Sequence, residues 1–203
     1  MDRKFFLKLL SQQLYPVLRQ EGFVGSGSTL RRINEPVIHV FNVQGASAGG
    51  ACYLNIGAHL SFLPPEGGGA LDPPRIDEPS CVFRDRIEPP PGPEFGWSYC
   101  TSPEEAAESV EFIVSEWECV GRAFFARYAS YPQSFETLIA EQDPQQVHPA
   151  KARTLARIAM ELGRYERASA FIDAALPQTP ERATLLKADL VALQNAVRSA
   201  STR

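Results

Sequence analysis

The segment GASAG at positions 45–49 offers the most direct catalytic chemistry in the chain, because it fits the G-x-S-x-G pattern of hydrolase nucleophile elbows. In such an elbow the serine lies on a sharp turn between a strand and a helix, which exposes its hydroxyl group. The residues before it, 37–43, are β-branched and aromatic and predict a strand. The residues after it, 52–62, alternate between apolar and polar side chains, which predicts a second strand in place of the helix. We therefore interpret the small residues between the two runs as a hairpin loop, and we predict that Ser47 is not a nucleophile.

Polar side chains on the predicted strands form a second candidate, a ligand site on one face of a sheet. A further strand is predicted in the run CVFRDRI at 81–87. The residues at alternating positions are, strand by strand, Asn42 and Gln44, Asn55 and His59, and Arg84 and Arg86. The two arginines could bind a phosphate or a carboxylate, either in a binding protein or in an enzyme. The alternative is a structural hydrogen-bond network that holds no ligand.

A long helix over 103–130 offers a third candidate, a protein-binding surface. It begins at Ser102 with a serine cap, a proline at the first position and a glutamate at the third. One face is predicted to pack on the core and carries Val110, Ile113, Trp117, Val120, Phe124 and Tyr128. The opposite face carries Glu104, Glu108, Glu111 and Glu118. This acidic face is either a solvated surface or the surface that binds a partner.

Charge is distributed unevenly along the chain. Residues 1–143 carry 11 Lys and Arg against 19 Asp and Glu, a net of −8, whereas residues 144–203 carry 9 against 5, a net of +4. An acidic front half argues against nucleic acid as the partner, since phosphates require a basic surface. It favours a basic protein instead.

Metal, cofactor and membrane signals are weak in this sequence. The four cysteines are widely spread without a C-x-x-C pair, which predicts buried free thiols and no zinc site. The absence of a Gly-Lys-Ser/Thr phosphate loop gives no reason to expect a cofactor. The amphipathic N-terminal segment predicts a first helix and not a signal peptide, and no stretch is long enough to span a membrane. We therefore expect a cytoplasmic protein with no membrane partner.

The order of the predicted elements indicates an α+β fold. Residues 1–143 are expected to form a mainly antiparallel sheet of three to five strands packed by two helices. A proline-rich loop over 63–95 interrupts this domain, because proline cannot donate to a sheet ladder. Residues 144–203 are expected to form a small all-helical tail. Within it, LGRYERASAFIDAALPQTP resembles the second helix of a tetratricopeptide repeat, followed by a capping helix over 180–200.

The front half is also similar to a known bacterial family. The motifs that carry the likeness are EGF after the first helix, GSTLRR, VFNVQ with YLNIG, CVFRDRI, and a tryptophan before the long helix. Together they resemble the bacterial domain of unknown function 4304 over residues 3–140. The resemblance transfers no catalytic residues to this chain. Some members of the family look like small proteins encoded beside secreted bacterial toxins, which implies an immunity role.

Two functional hypotheses follow from the sequence. The first is a non-catalytic immunity protein that neutralises a basic toxin domain by direct binding, with the glutamates of the long helix in contact. The second is a protein that binds a small phosphate or carboxylate ligand, or an enzyme, through the polar patch on the sheet.

Overall fold

A computed structural model of the protein describes residues 2–91 and 96–201, and the end of the predicted loop, at 92–95, lies outside the described residues. The chain divides into two compact units, 1–129 and 130–203. The first unit contains, in order, α1 (Arg3–Gln20), β1 (Val24–Ser26), β2 (Thr29–Asn34), β3 (Val37–Gly45), β4 (Ala51–Leu60), β5 (Phe83–Ile87), β6 (Trp97–Ser98), α2 (Pro103–Glu116) and α3 (Arg122–Arg127). The second contains α4 (Gln133–Glu141), α5 (Pro149–Glu161), α6 (Tyr165–Gln178) and α7 (Thr184–Ser201).

The sheet of the first unit is antiparallel throughout, with strand order β1-β2-β3-β4-β5 and the short β6 paired with β4. The α+β prediction is confirmed, with five strands in one path and a sixth beside β4. The strands at 37–45 and 51–60 form the predicted hairpin around the GASAG segment. Fully buried side chains of α1 and α2, among them Leu10, Leu14 and Val110, pack on one face of the sheet and form the main core.

A second, smaller core lies on the opposite face of the sheet. There the proline-rich segment folds back, and Ile76 and Cys81 pack against Ile38 and Val40 of β3. Arg31 of β2 binds this segment: its guanidinium donates hydrogen bonds to the backbone oxygens of Ile76 (2.5 Å) and Arg75 (3.1 Å). The segment therefore covers only one end of this face and leaves the other end accessible.

A π-helical turn at Trp117–Gly121 joins α2 to α3 and alters the predicted helix face. A π turn closes its hydrogen bonds five residues apart, so it advances the helix by one extra residue. Gly121 and Phe125 are consequently buried, while Val120 is 36% exposed, and the prediction that Val120 faces the core is wrong. Gly121 is required here, since a Cβ atom would lie 2.5 Å from a ring carbon of Trp117.

The cysteines follow their prediction only in part. Cys52 and Cys81 are buried free thiols, as expected. Cys100 is half-buried, and Cys119 is exposed on the π-helical turn. Helical spacing already places Cys119 on the side opposite the core residues Val110 and Trp117, so its exposure follows from the helix face, and residue type alone did not show it.

The second unit begins at Ser130, earlier than the predicted boundary after residue 143. The cause is α4, whose last carbonyl groups are bound by an arginine of α6. The Arg167 guanidinium donates to the backbone oxygens of Ile139 (2.7 Å) and Ala140 (3.2 Å), and also to that of Gln142. Such donors satisfy carbonyls that a helix end leaves unpaired, so α4 belongs with the helices that follow it.

The helical tail contains an α5–α6 hairpin followed by α7. Gly163, between α5 and α6, has a φ of +69°, and Ala168 is fully buried on α6. The last helix begins at Thr184 and not at the predicted residue 180. The Thr179 hydroxyl donates to the backbone oxygen of Ala175 at the end of α6 (2.8 Å). The likeness to a tetratricopeptide repeat stays a prediction. Among the described residues, no helix combines the length and the apolar character needed to cross a membrane.

Candidate functional site

The accessible end of the second sheet face carries most of the predicted ligand patch. Residues that pair directly across antiparallel strands point to the same face. The register pairs Asn42 with Asn55, and Asn55 with Arg86. All six predicted patch residues share this face, as alternation indicated; they are Asn42, Gln44, Asn55, His59, Arg84 and Arg86.

A row of polar side chains crosses four strands on this face and is hydrogen-bonded in two groups. Asn42 Nδ2 donates to Thr29 Oγ1 (2.8 Å), Asn55 Nδ2 donates to Gln44 Oε1 (3.0 Å), and Arg86 Nε donates to Asn55 Oδ1 (2.8 Å). Asn55 is only 1% exposed, so both ends of its amide need these partners. The row therefore has a structural role, in which much of the predicted patch is already committed to internal hydrogen bonds.

The two arginines of the patch differ in their surroundings. The Arg86 guanidinium also lies over the ring of Tyr53, 4.5 Å from its centroid. Arg84 has a half-exposed side chain, and its nearest partner is Glu78 at 4.0 Å. Burial raises the pKa of the Glu78 carboxyl, and the neighbouring charges of Arg84 and Arg86 oppose that rise. Arg84 is thus the more available of the two for an outside partner.

An open groove of about 540 Å³ follows β5. It is lined by Glu78, Val82, Arg84, Asp85, Arg86 and Glu88. Small-molecule sites are mostly apolar with a few polar groups, whereas this lining carries three carboxylates and two guanidinium groups. The three carboxylates would also repel a phosphate, so the groove does not favour the predicted anion.

His59 shares the sheet face but is separated from the rest of the patch by burial. It is fully buried, and its Nε2 lies 3.1 Å from the backbone oxygen of Leu63 at the start of the proline-rich segment. Its Nδ1 has no hydrogen-bond partner among the atoms that the structure describes. Burial lowers its pKa, so the ring is neutral at pH 7. His59 is consequently closed off from any ligand on the accessible end of the face.

Ser47 lies in an exposed turn of the β3–β4 hairpin. The turn is closed by the Gly49 amide, which donates to the oxygen of Ala46 (3.0 Å), and by the Ala46 amide, which donates to the oxygen of Ala51 (2.9 Å). The strand that follows confirms the hairpin interpretation and provides no helix amides at this position. That Ser47 is not a nucleophile stays a prediction.

The acidic face of α2 is accessible over its first three glutamates. Glu104, Glu108 and Glu111 are exposed and form no ion pair with another described residue. Glu118 is exposed as well, but it lies in the π-helical turn and is ion-paired with Arg122. The four predicted glutamates therefore separate into three available carboxylates and one that is already neutralised.

Arg122 connects Glu118 to the end of α1. Its Nε donates to Glu21 Oε1 (2.8 Å), and the indole of Trp117 donates to the same oxygen (3.0 Å). The resulting network joins three elements of the first unit and explains why Glu118 differs from the other glutamates.

An aromatic ring that was not among the predicted site residues lies beside the available glutamates. Phe112 is 41% exposed, and its ring centroid is 6.0 Å from that of Trp97. Phe112 follows Glu108 by four residues, which places the two side chains next to each other on the helix. An i+4 search from each glutamate could have found this aromatic neighbour.

A buried polar network on the core side of the sheet was also missed. Arg32 donates from Nε (3.1 Å) and Nη2 (2.9 Å) to Nδ1 of His39, and its Nη1 donates to the oxygen of Glu21 (2.9 Å). Because arginine can only donate, His39 Nδ1 accepts, and its Nε2–H donates to the backbone oxygen of Tyr128 (2.9 Å). Burial, and then the charge of Arg32, lower the pKa of His39 to about 4.

This network also had a sequence signal. Residues 34–36 mark a bend, and a tight hairpin centred there pairs residue 32 with residue 39, as the register shows. The network links the end of α1, the sheet and the end of α3. Its histidine is neutral at pH 7 and only 1% exposed, so the arrangement holds these elements together.

Comparison with known families supports the resemblance read from the motifs. The family model of the Domain of unknown function (DUF4304) matches residues 14–127, which is more than half of the chain. The chain belongs to the DUF4304 family. The matched region lies within the α+β unit, from the second half of α1 onward, and excludes the helical tail of this DUF4304 protein. No curated protein sequence and no solved structure shows a significant match to the chain.

Proposed function

We propose that this DUF4304 protein acts by binding a partner protein through the α2 surface, defined as Glu104, Glu108, Glu111 and Phe112. The partner is a basic toxin domain, which the protein neutralises in the bacterial cytoplasm without chemistry of its own. The toxin rests on the family resemblance, and the mode of contact rests on the surface itself. The cytoplasmic location is the expectation drawn from the sequence.

The observation that carries the proposal is the combination of an exposed aromatic ring with unpaired carboxylates on one helix. Interface hot spots are enriched in aromatic residues, which fill a pocket on the partner while charged groups surround them. Phe112 offers the ring, and the three glutamates around it have no internal ion pair within residues 2–91 and 96–201. A basic partner would therefore gain charge pairs without breaking existing ones.

The charge of the first 143 residues also favours a basic partner. Residues 1–143 carry a net charge of −8, so a basic partner is attracted over a distance before contact. Charge complementarity of this kind raises the association rate more than it raises the final affinity. An inhibitor of a toxin benefits from fast capture, because damage continues until the complex forms.

The sheet patch supports a ligand-binding function less well. Arg86 and Asn55 are bound to each other, His59 is enclosed, and the groove beside them is lined by three carboxylates. None of the six patch residues carries a hydroxyl or a thiol, the nucleophiles most often used in covalent catalysis.

The proposal is tested first by expressing the product of the adjacent gene with and without this protein in the native host background. Growth inhibition by that product, relief by this protein and recovery of a stable complex are the expected results. If the adjacent product is neither toxic nor bound, the immunity role is wrong.

The contact surface is tested by association kinetics with the purified partner. The double variant Glu104→Lys/Glu111→Lys should slow association by roughly tenfold at low salt, and by less at 1 M salt, where screening acts over about 3 Å. The matched control is Glu166→Lys/Glu181→Lys, which changes the net charge equally at exposed positions of the second unit. Equal slowing by the two double variants would show that the α2 surface is not the contact. A third variant, Phe112→Ala, should mainly speed dissociation.

A further inference from the structure

The edge strand β5 has an unpaired side. It is the last strand in the path β1-β2-β3-β4-β5, and within the described residues its one hydrogen-bonded strand neighbour is β4. The outward side of an edge strand presents backbone N–H and C=O groups that can pair with another chain. The groove of about 540 Å³ follows this strand and the residues at both of its ends.

One hydrogen bond shows which residues face outward. The backbone amide of Arg86 donates to Oδ1 of Asp85 (2.8 Å) and so is directed away from the ladder with β4. Residues along a strand alternate in the direction of their backbone groups in an antiparallel ladder. Arg84 therefore faces outward as well, and the two arginines supply the hydrogen-bonding positions that a new strand would use.

The three central side chains of β5 alternate in charge. Arg84 and Arg86 lie on the accessible sheet face, and Asp85 lies between them on the opposite face. All three are exposed, whereas Phe83 and Ile87 at the two ends are buried. A strand added along this edge would thus meet a positive, a negative and a positive side chain between two apolar ends.

We propose that β5 is a docking edge for an extended segment of a partner protein, which adds as an antiparallel strand. The segment carries an acidic, a basic and an acidic side chain at three consecutive positions, opposite Arg86, Asp85 and Arg84. Main-chain hydrogen bonds give such strand addition its affinity, and the side chains select the partner. Opposite charges directly across two strands are favourable, and like charges are unfavourable.

A second copy of this chain is a poor occupant of the edge. In a symmetric antiparallel pair centred on Asp85, that aspartate faces its own copy, and Arg84 faces Arg86 of the other copy. All three cross-strand pairs are then like-charged, which disfavours the dimer.

Asp85 also protects the edge when no partner is present. Its carboxylate occupies the Arg86 amide, and natural sheets often use charged side chains to prevent pairing at exposed edges. An incoming strand displaces this hydrogen bond, after which the freed carboxylate pairs with the basic side chain of the segment. The edge therefore disfavours segments that lack that basic residue.

The test uses a blocked synthetic peptide, TVEKEVT, titrated into the full chain and followed by amide NMR shifts and hydrogen exchange. The central lysine is placed opposite Asp85, and the two glutamates opposite the arginines. We expect the largest shifts at the amides of residues 82–88 and at least tenfold slower exchange of the Arg84 and Arg86 amides at saturation. The charge-reversed peptide TVKEKVT should bind at least fivefold more weakly.

A variant of this protein completes the test. Arg84→Glu changes an exposed side chain on the edge, and it should reverse part of the preference by improving binding of TVKEKVT relative to TVEKEVT. Failure of both peptides to bind, equal affinities for the two, or shifts that map away from β5 would overturn the proposal. These outcomes are independent of the α2 surface, since the peptide contains no toxin and α2 lies outside the docking edge.

Discussion

Each face of the sheet carries an arginine that is hydrogen-bonded to a residue of the neighbouring strand, and the two arginines lie in different environments. On the core side, Arg32 is hydrogen-bonded to His39 across β2 and β3; on the accessible side, Arg86 is hydrogen-bonded to Asn55 across β4 and β5. In both pairs an arginine partly covers an aromatic ring, Phe23 in the first and Tyr53 in the second. The presence of such an arginine therefore does not by itself distinguish the two sites.

Their surroundings do distinguish them. His39 is buried below α3 and has a partner on both ring nitrogens, one of which is the carbonyl at the end of that helix. The Arg86 side chain is exposed, and its backbone belongs to an open edge. The covered pair can act only through stability, while the open pair is also accessible to a partner. Removal of the arginine's hydrogen bond should therefore lower the free energy of unfolding more on the core side than on the accessible side.

The largest expected effect is that of Arg32→Met on stability. The change leaves His39 Nδ1 and the carbonyl of Glu21 without their donor, and a buried group that loses its partner costs about 1–3 kcal/mol. We expect the free energy of unfolding to fall by about 2–4 kcal/mol, measured by urea denaturation at pH 7. Lys4→Met removes an equal charge from an exposed position and should change it by less than about 0.5 kcal/mol.

Acid should weaken the core-side pair before it affects the open pair. The pKa of His39 is 6.5 in an unfolded chain and about 4 in the folded protein, so only the unfolded chain takes up a proton between these values. Stability from this group is complete above pH 6.5 and is lost as the pH falls toward 4. From pH 7 to pH 5 the loss is on the order of 2 kcal/mol. The lowered pKa of His59 acts in the same direction, and the raised pKa of Glu78 acts against it.

A glutamine at position 39 isolates the contribution of His39. Its side-chain oxygen can accept from Arg32 and its amide can donate to Tyr128, so His39→Gln retains the bonds without the titration. Its stability should fall by about 2 kcal/mol less than that of the natural protein over the same pH interval. An NMR titration of the His39 ring provides a direct measurement, and a midpoint near 6.5 in the folded protein would contradict the assignment.

Much of the fold could be predicted from local patterns. The alternation in β3 and β4 correctly placed Asn42 with Gln44 and Asn55 with His59, because a period of two fixes the face of every residue in a strand. The same rule placed Arg84 and Arg86 together. Alternation could not show which of these residues are buried by another segment. The proline-rich segment encloses His59 and leaves Arg86 open, which depends on contacts between residues far apart in the chain.

The remaining differences arise from single local events. A π turn has no simple sequence signature, so the predicted helix face failed at Val120 although it was correct at Val110 and Trp117. The boundary between the two units depends on Arg167 of α6, which binds the end of a helix that lies before it in the chain. Neither event changes composition or periodicity, which are the quantities that a sequence pattern measures.

The smallest expected effects belong to the open pair, and they decide whether it is structural or functional. Arg86→Met removes the donor to the buried Asn55 oxygen and the contact with Tyr53, so we expect a loss of about 1–2 kcal/mol in unfolding free energy. Arg84→Met removes only a half-exposed ion pair at 4.0 Å and should cost less than about 1 kcal/mol.

The same two variants separate stability from recognition. For a structural row, Arg86→Met lowers the melting temperature while binding of the proposed partner protein is retained at 10 °C, where the variant remains folded. For a functional patch, Arg84→Met is the more damaging variant in binding even though it is the milder one in stability, because Arg84 is the arginine with fewer internal bonds. The decisive result is therefore that Arg86→Met is the more damaging variant in melting temperature while Arg84→Met is the more damaging in binding. Melting depends on the internal bonds that each arginine makes, whereas binding depends on the groups that each arginine presents to a partner.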